Sequence, residues 1–195
     1  MRCFVAIDLD PTARQALADL SNRMRRRLPA ASLRWVDPQH IHLTVKFLGE
    51  LKPDESEAIV AILTEGAARV GPADLTLTGL GAFPNAARAR VIWVGIQEAS
   101  GRLSQLHQAT EQAMATLGYQ RDERAFQPHL TVARVRPDIG RTDREALAAG
   151  LRQEQVGELA ISRMAEVVLF RSDLRPSGAV YTPLARLALG PITVG

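Results

Sequence analysis

The tetrapeptide His-Leu-Thr-Val occurs twice in this chain, as His42-Leu43-Thr44-Val45 and as His129-Leu130-Thr131-Val132. In an extended strand alternate side chains share a face, so each copy aims one imidazole and one hydroxyl at the same space. An imidazole with its ordinary pKa of about 6.5 gives or takes a proton near neutrality. A threonine hydroxyl donates to a charged oxygen. Two such pairs converging on one cleft supply two proton carriers and two donors for a phosphate, which is sufficient chemistry for cleaving a phosphodiester without a metal.

The flanks extend the pattern. By strict alternation His40, His42, Thr44 and Lys46 share one face, and Ile41, Leu43, Val45 and Phe47 form the opposite, apolar one. Lys46 is therefore expected beside the motif as an electrostatic partner of a phosphate. Arg134, at the end of the second motif strand, is a second such partner, but alternation puts it opposite Thr131, so its role requires a twist or a bulge. His129 and Thr131 are backed by Leu130 and Val132 as the first pair is backed by its apolar neighbours. A strand facing solvent could show the same polar and apolar sides, but solvent faces favour charges over a repeated His–Thr pair. A metal site built on His40, His42 and His129 is the competing chemistry; it leaves both threonines without a role. A third reading is a binding module that holds RNA without turnover, with Phe47, Trp35 or Phe83 as stacking surfaces. His107 falls inside an amphipathic helical stretch and reads as structural.

The elements that must position these residues follow from periodicity and stop signals. Arg2–Asp8 reads as a strand, and Asp10-Pro11 opens a helix that runs to about Arg27 before Pro29. Further strands are expected at Leu33–Val36, Ile41–Leu48, Leu75–Leu80, Arg90–Ile96, Pro128–Arg134, Leu159–Arg163, Ala165–Arg171 and Ala179–Ala188. Helices are expected at Asp54–Val70, Gly101–Leu117 and Thr142–Leu151. The motif copies begin 87 residues apart, close to half of the 195-residue chain. With matching strand context on both sides, this spacing favours two similar α+β lobes meeting face to face over a doubly wound parallel sheet.

Composition bounds the rest. Hydrophobic residues make up 46% and charged residues 23%, which fits a globular chain and excludes disorder. No apolar run approaches the roughly 20 residues of a membrane span, and the start of the chain reads as a strand, not a signal peptide. The single cysteine, Cys3, has no disulfide or thiolate partner, so a cytoplasmic setting is expected. The net charge is +3 with a pI near 9.6. Only Lys46 and Lys52 are lysines, leaving 22 of the 24 cations as arginine, whose planar fork suits phosphate.

Several stretches together carry a resemblance. Arg2-Cys3-Phe4-Val5-Ala6-Ile7, Leu43 to Gly49, Phe83-Pro84, Arg90 to Gly95, Pro128 to Thr131, Arg171 to Leu174 and Gly178 to Tyr181 resemble the two-histidine phosphoesterase superfamily. They are most similar to its bacterial and archaeal RNA 2′,3′-cyclic phosphodiesterase branch, formerly described as 2′-5′ RNA ligase. The resemblance spans essentially the whole chain. It implies an α+β, bilobal fold: a single domain over 1–195 of two intertwined, pseudo-symmetric lobes, each an antiparallel sheet with outer helices, around a central groove. It implies hydrolysis of a terminal RNA 2′,3′-cyclic phosphate to a 2′-phosphomonoester with neither metal nor cofactor. His42 is then the proton donor, His129 the proton acceptor, and Thr44 and Thr131 the phosphate donors. Lys46, Phe47, Arg134 and Tyr181 are the candidate substrate contacts. The expected partner is RNA with a cyclic phosphate end or a related nucleotide, acted on by a monomer away from membranes. His40 has no counterpart in this pattern. A reversible 2′-5′ ligase and a small cyclic-nucleotide phosphodiesterase use the same residues and stay open as alternatives.

Overall fold

The computed structural model describes residues 1–175 and 178–191. Nine strands and four helices follow one another along the described chain: β1 (Arg2–Ile7), α1 (Pro11–Arg25), β2 (Leu33–Trp35), β3 (Leu43–Glu50), α2 (Ser56–Ala67), β4 (Ala73–Phe83), β5 (Val91–Gln97), α3 (Arg102–Thr116), β6 (His129–Val135), α4 (Arg141–Gln153), β7 (Glu158–Met164), β8 (Glu166–Arg175) and β9 (Gly178–Ala188). Short 3₁₀ turns join several of them, one at Pro38–His40.

The strands form two antiparallel sheets with the orders β3-β1-β8-β9 and β2-β6-β5-β4-β7. Without the short edge strand β2 the two orders correspond, each motif strand (β3 or β6) lying beside the strand that opens its half of the chain (β1 or β5). The expected two-lobe α+β architecture is therefore present, and each lobe draws on both halves of the sequence. Helix α1 follows a strand of the first sheet but packs on β7 of the second, while α3 follows β5 of the second sheet and packs on β3 of the first, beside α2. This exchange joins the lobes through one apolar core that includes Val5 and Ile7 of β1, Leu17 and Met24 of α1, Leu106 of α3, and Leu130 and Val132 of β6.

Local sequence explains the elements. Helix α1 buries Ala13, Leu17, Leu20 and Met24 at spacings of four, three and four, with Pro11 in its first turn. The Asp10-Pro11 signal predicts an aspartate cap, yet Asp10 makes no such bond. Its carboxylate instead accepts from the Arg163 amide at 2.7 Å, and its amide donates to Ser162 Oγ at 3.0 Å, fastening the start of α1 to β7. A second, small apolar cluster of Phe4, Ala6, Val168 and Phe170, with Tyr181 against it, covers the other face of the first sheet. Among the described residues no helix is long and apolar enough to cross a membrane.

Candidate active site

Both motif copies line one cleft of about 600 Å³ between the sheets. His42 and Thr44 enter from the first lobe, His129 and Thr131 from the second, and Phe47, Arg134 and Tyr181 complete the expected set on the same walls. His40 also lines the cleft, from the end of its 3₁₀ turn. Lys46 does not.

The reason is a bulge, and it occurs in both copies. In the β1–β3 ladder Ala6 faces Thr44 and Val5 faces Lys46, so Val45 is an extra residue. In the β5–β6 ladder Trp93 faces Thr131 and Ile92 faces Ala133, so Val132 is extra in the same way. An extra residue shifts the phase of all that follow. Val45 and Lys46 are both buried, as are Val132 and Ala133; the next residues, Phe47 and Arg134, return to the cleft. The expectation for Lys46 is thereby corrected: it corresponds to Ala133 and points into the protein. Phe47, placed by strict alternation on the apolar face, is instead 70% exposed at the cleft. The bulge required for Arg134 is present. Phe47 and Arg134 are positional counterparts, an aromatic surface in one lobe and a guanidinium in the other.

Each imidazole is held in the same manner. His42 Nδ1 lies 3.0 Å from the His40 carbonyl and His129 Nδ1 lies 2.7 Å from the Gln127 carbonyl. A carbonyl only accepts, so both Nδ1 atoms carry the hydrogen, and Nε2 is the ring atom left for substrate. Aromatic rings fix the ring planes. His42 stacks on Phe4 with 4.6 Å between centroids and meets Tyr181 edge-on at 5.0 Å. His129 meets Phe83 edge-on at 4.9 Å, with Trp93 at 6.3 Å. Trp93 lies over Gly81, where any Cβ would collide with the indole, so that position requires glycine.

The two carbonyl-bearing segments are themselves pinned by charged side chains whose role the linear sequence did not reveal. Arg14, on α1, donates to the Pro38 carbonyl at 3.1 Å and the Gln39 carbonyl at 2.6 Å, and pairs with Asp8. It thus gathers the turn that presents His40 and its carbonyl. For the segment that leads to the second motif, Lys46 Nζ of β3 donates to Glu111 at 2.6 Å and to the Gln120 carbonyl at 3.0 Å. Glu111 also accepts from the Asp122 amide at 3.3 Å, and His107 stacks on Phe126 at 4.2 Å. Three anchors therefore hold the segment that leads to Gln127 and His129. A basic residue in a helix or a strand gives no sign in sequence that its partner is a backbone carbonyl far along the chain, as Gln39 is from Arg14 and Gln120 from Lys46.

Electrostatically the cleft is one-signed: among the described residues that line it, Arg2 and Arg134 are the only permanently charged ones, and none is a carboxylate. Burial pushes the His42 imidazolium down to about 4; the His40 carbonyl and Asp8 act in the opposite direction and are outweighed. His42 is therefore neutral near pH 7 in the free protein. Among the described residues no three His, Cys, Asp or Glu side chains come together as a metal site, so His40, His42 and His129 do not form one. The arrangement is suited to binding a phosphate anion between two imidazole Nε2 atoms, with two hydroxyls and a guanidinium at hand.

Comparison with known proteins agrees with this geometry. The chain matches the family described as LigT like phosphoesterase twice, over residues 7–93 and 94–181, one match to each half. The RNA 2′,3′-cyclic phosphodiesterase of Methanothermobacter thermautotrophicus is 32% identical over 94% of this chain and 96% of its own length. Among solved structures, TT0787 of Thermus thermophilus superposes with a TM-score of 0.81 at 27% identity, covering 98% of this chain and all of that one. E. coli LigT complexed with 3′-AMP gives a TM-score of 0.75 at 26% identity, covering 96% and 97%. With two matched halves, two corresponding sheets and a duplicated histidine–threonine site in one cleft, the chain belongs to the LigT-like phosphoesterase family.

Proposed function

We propose that this protein hydrolyses the 2′,3′-cyclic phosphate at the end of an RNA to a 2′-phosphomonoester, by acid–base catalysis between His42 and His129. The observation that carries this reading is the duplicated lock on the two imidazoles: same tautomer, same carbonyl two residues back, same threonine two residues on, one cleft. Relatives bearing the name RNA 2′,3′-cyclic phosphodiesterase support the choice of substrate.

In this mechanism His129 Nε2 takes a proton from water as its oxygen attacks phosphorus. The bond from phosphorus to O3′ breaks on the opposite side, and O3′ takes the proton from His42 Nε2. Thr44 and Thr131 donate to the non-bridging oxygens, and Arg134 offsets the growing negative charge. Tyr181 and Phe47 offer the terminal nucleoside an edge and a face. Since His42 is neutral in the free protein, its proton is acquired with the substrate: a phosphodiester anion beside the ring favours the imidazolium. Both histidines come from one chain, so a monomer suffices, and the lone buried Cys3 suits a reducing, cytoplasmic setting.

The test is to incubate chelator-treated protein with an RNA ending in 2′,3′-cyclic phosphate and identify the product isomer. A 2′-phosphomonoester is expected, with His42→Ala and His129→Ala each slowing turnover at least about 10²-fold. A 3′-phosphate product, or near-normal rates in either variant, would refute it.

A further inference from the structure

Beyond the cleft itself, the lobe-two rim holds a feature that catalysis at a terminal phosphate does not use. Arg34 of β2 is the cross-strand partner of Arg134 of β6. Direct partners on antiparallel strands project from the same face, about 4.5–5.5 Å apart at Cα. Two further observations place that face. Leu33 and Trp35 turn inward, with the Arg25 guanidinium 5.3 Å over the Trp35 ring. The Val36 amide continues the ladder to the Val132 carbonyl at 3.0 Å, and Val36, in phase with Arg34, lines the cleft. Arg34 therefore stands at the cleft's edge, next to the arginine inside it.

Like charges directly opposite each other on a sheet are destabilising. Several arginines elsewhere in the chain are neutralised by carboxylates: Arg23 and Arg27 share Glu154, Arg163 pairs with Asp74, Arg186 with Asp8 and Glu166. Among the described residues Arg34 and Arg134 pair with none, both are exposed, and no acid lines the cleft beside them. Two facing guanidiniums left without anions form a site for anions that lie next to each other on one ligand.

We propose that Arg34 is a second phosphate subsite, which holds the phosphodiester one nucleotide upstream of the cyclic end while Arg134 faces the terminal phosphate. The inference rests on the RNA reading above and deepens it: the rim selects a polynucleotide end over a mononucleotide. The line from Arg134 to Arg34 leads across β6 to the sheet edge at β2, which gives the RNA chain its way out of the cleft.

The experiment compares Arg34→Gln and Arg34→Lys with the parent protein on two substrates, a mononucleoside 2′,3′-cyclic phosphate and a three-nucleotide RNA ending in one. Arg34→Gln is expected to lose about tenfold more kcat/KM on the RNA than on the mononucleotide, with Arg34→Lys recovering most of it. The log–log salt dependence on the RNA should fall by about 0.7, the slope of one phosphate contact on a single strand. Equal losses on both substrates, or none on either, would overturn the subsite. Equilibrium binding of a three-nucleotide RNA bearing a terminal 2′-phosphate, against the mononucleoside 2′-phosphate, is measured alongside. If turnover fails in the parent protein the hydrolase reading falls, while a selective loss of RNA binding in Arg34→Gln still upholds the subsite and its absence still removes it.

Discussion

At the scale of single residues, the chemistry depends on which nitrogen is free and on what charge it carries. The Nδ1 bonds to His40 and Gln127 carbonyls settle the first point. For the second, the burial that pushes His42 to about 4 makes substrate binding and protonation one linked event. NMR titration of His42 is expected to show a midpoint near 4 in the free protein and an upward shift once a 2′-phosphate nucleotide is bound. An unmoved midpoint would transfer the donor role to His129. An acid is lost as pH rises through its pKa and a base as pH falls through its own. His42→Ala should therefore remove the alkaline limb of the kcat profile, and His129→Ala the acid limb. In the proposed mechanism the threonines act on the transition state. Thr44→Val and Thr131→Val each delete a hydrogen bond to a charged oxygen, worth about 1.5–3 kcal/mol or one to two decades in rate. Their effect should fall on single-turnover rate more than on binding of a non-hydrolysable 2′-phosphate end. Weaker binding at an unchanged rate would make them simple anchors.

At the scale of elements, the repeated bulge at Val45 and Val132 decides which side chains reach the cleft. It turns Lys46 from a phosphate contact into a strut between β3, α3 and the segment that ends at Gln127. At 2% and 7% exposure, Lys46 and Glu111 form a buried ion pair. Breaking such a pair by removing one partner costs about 3–5 kcal/mol, while replacing both by apolar residues is often neutral. Lys46→Met should destabilise the fold by that order in a urea titration, and adding Glu111→Leu should restore most of it. The double variant also leaves the Gln120 carbonyl without its lysine, so activity is expected to stay low after stability has returned. Recovery of both together would reduce the pair to packing.

At the scale of the molecule, the exchange of α1 and α3 between sheets means that neither half of the chain holds a complete lobe. Both motifs are thereby set against one core, and both walls of the cleft between them come from one chain. The half-buried His42 also leaves a mark on global stability. Its pKa is near 4 when folded and about 6.5 when unfolded, so the unfolded chain binds more protons between these values. The contribution is complete above about pH 6.5 and is lost as pH falls toward 4. In His42→Asn the decline in urea midpoint across that window should be shallower than in the parent protein; an identical decline would assign the acid sensitivity elsewhere.

Residue order was enough to find the two His–Thr pairs that line the cleft, because a repeated tetrapeptide states residue type and strand phase together, and local alternation puts His and Thr on one face. It was also enough for the element order and the two-lobe class, since periodicity and proline and glycine stops are local signals. The fates of Lys46, Phe47 and Arg134 were settled in three dimensions, because a bulge is a mismatch between two strands and neither strand encodes it alone. The same holds for Arg14, Glu111 and Arg34. Their partners are a distant turn, a lysine on a strand far along the chain and an arginine across a ladder, so their roles exist only once the chain has brought those groups within reach.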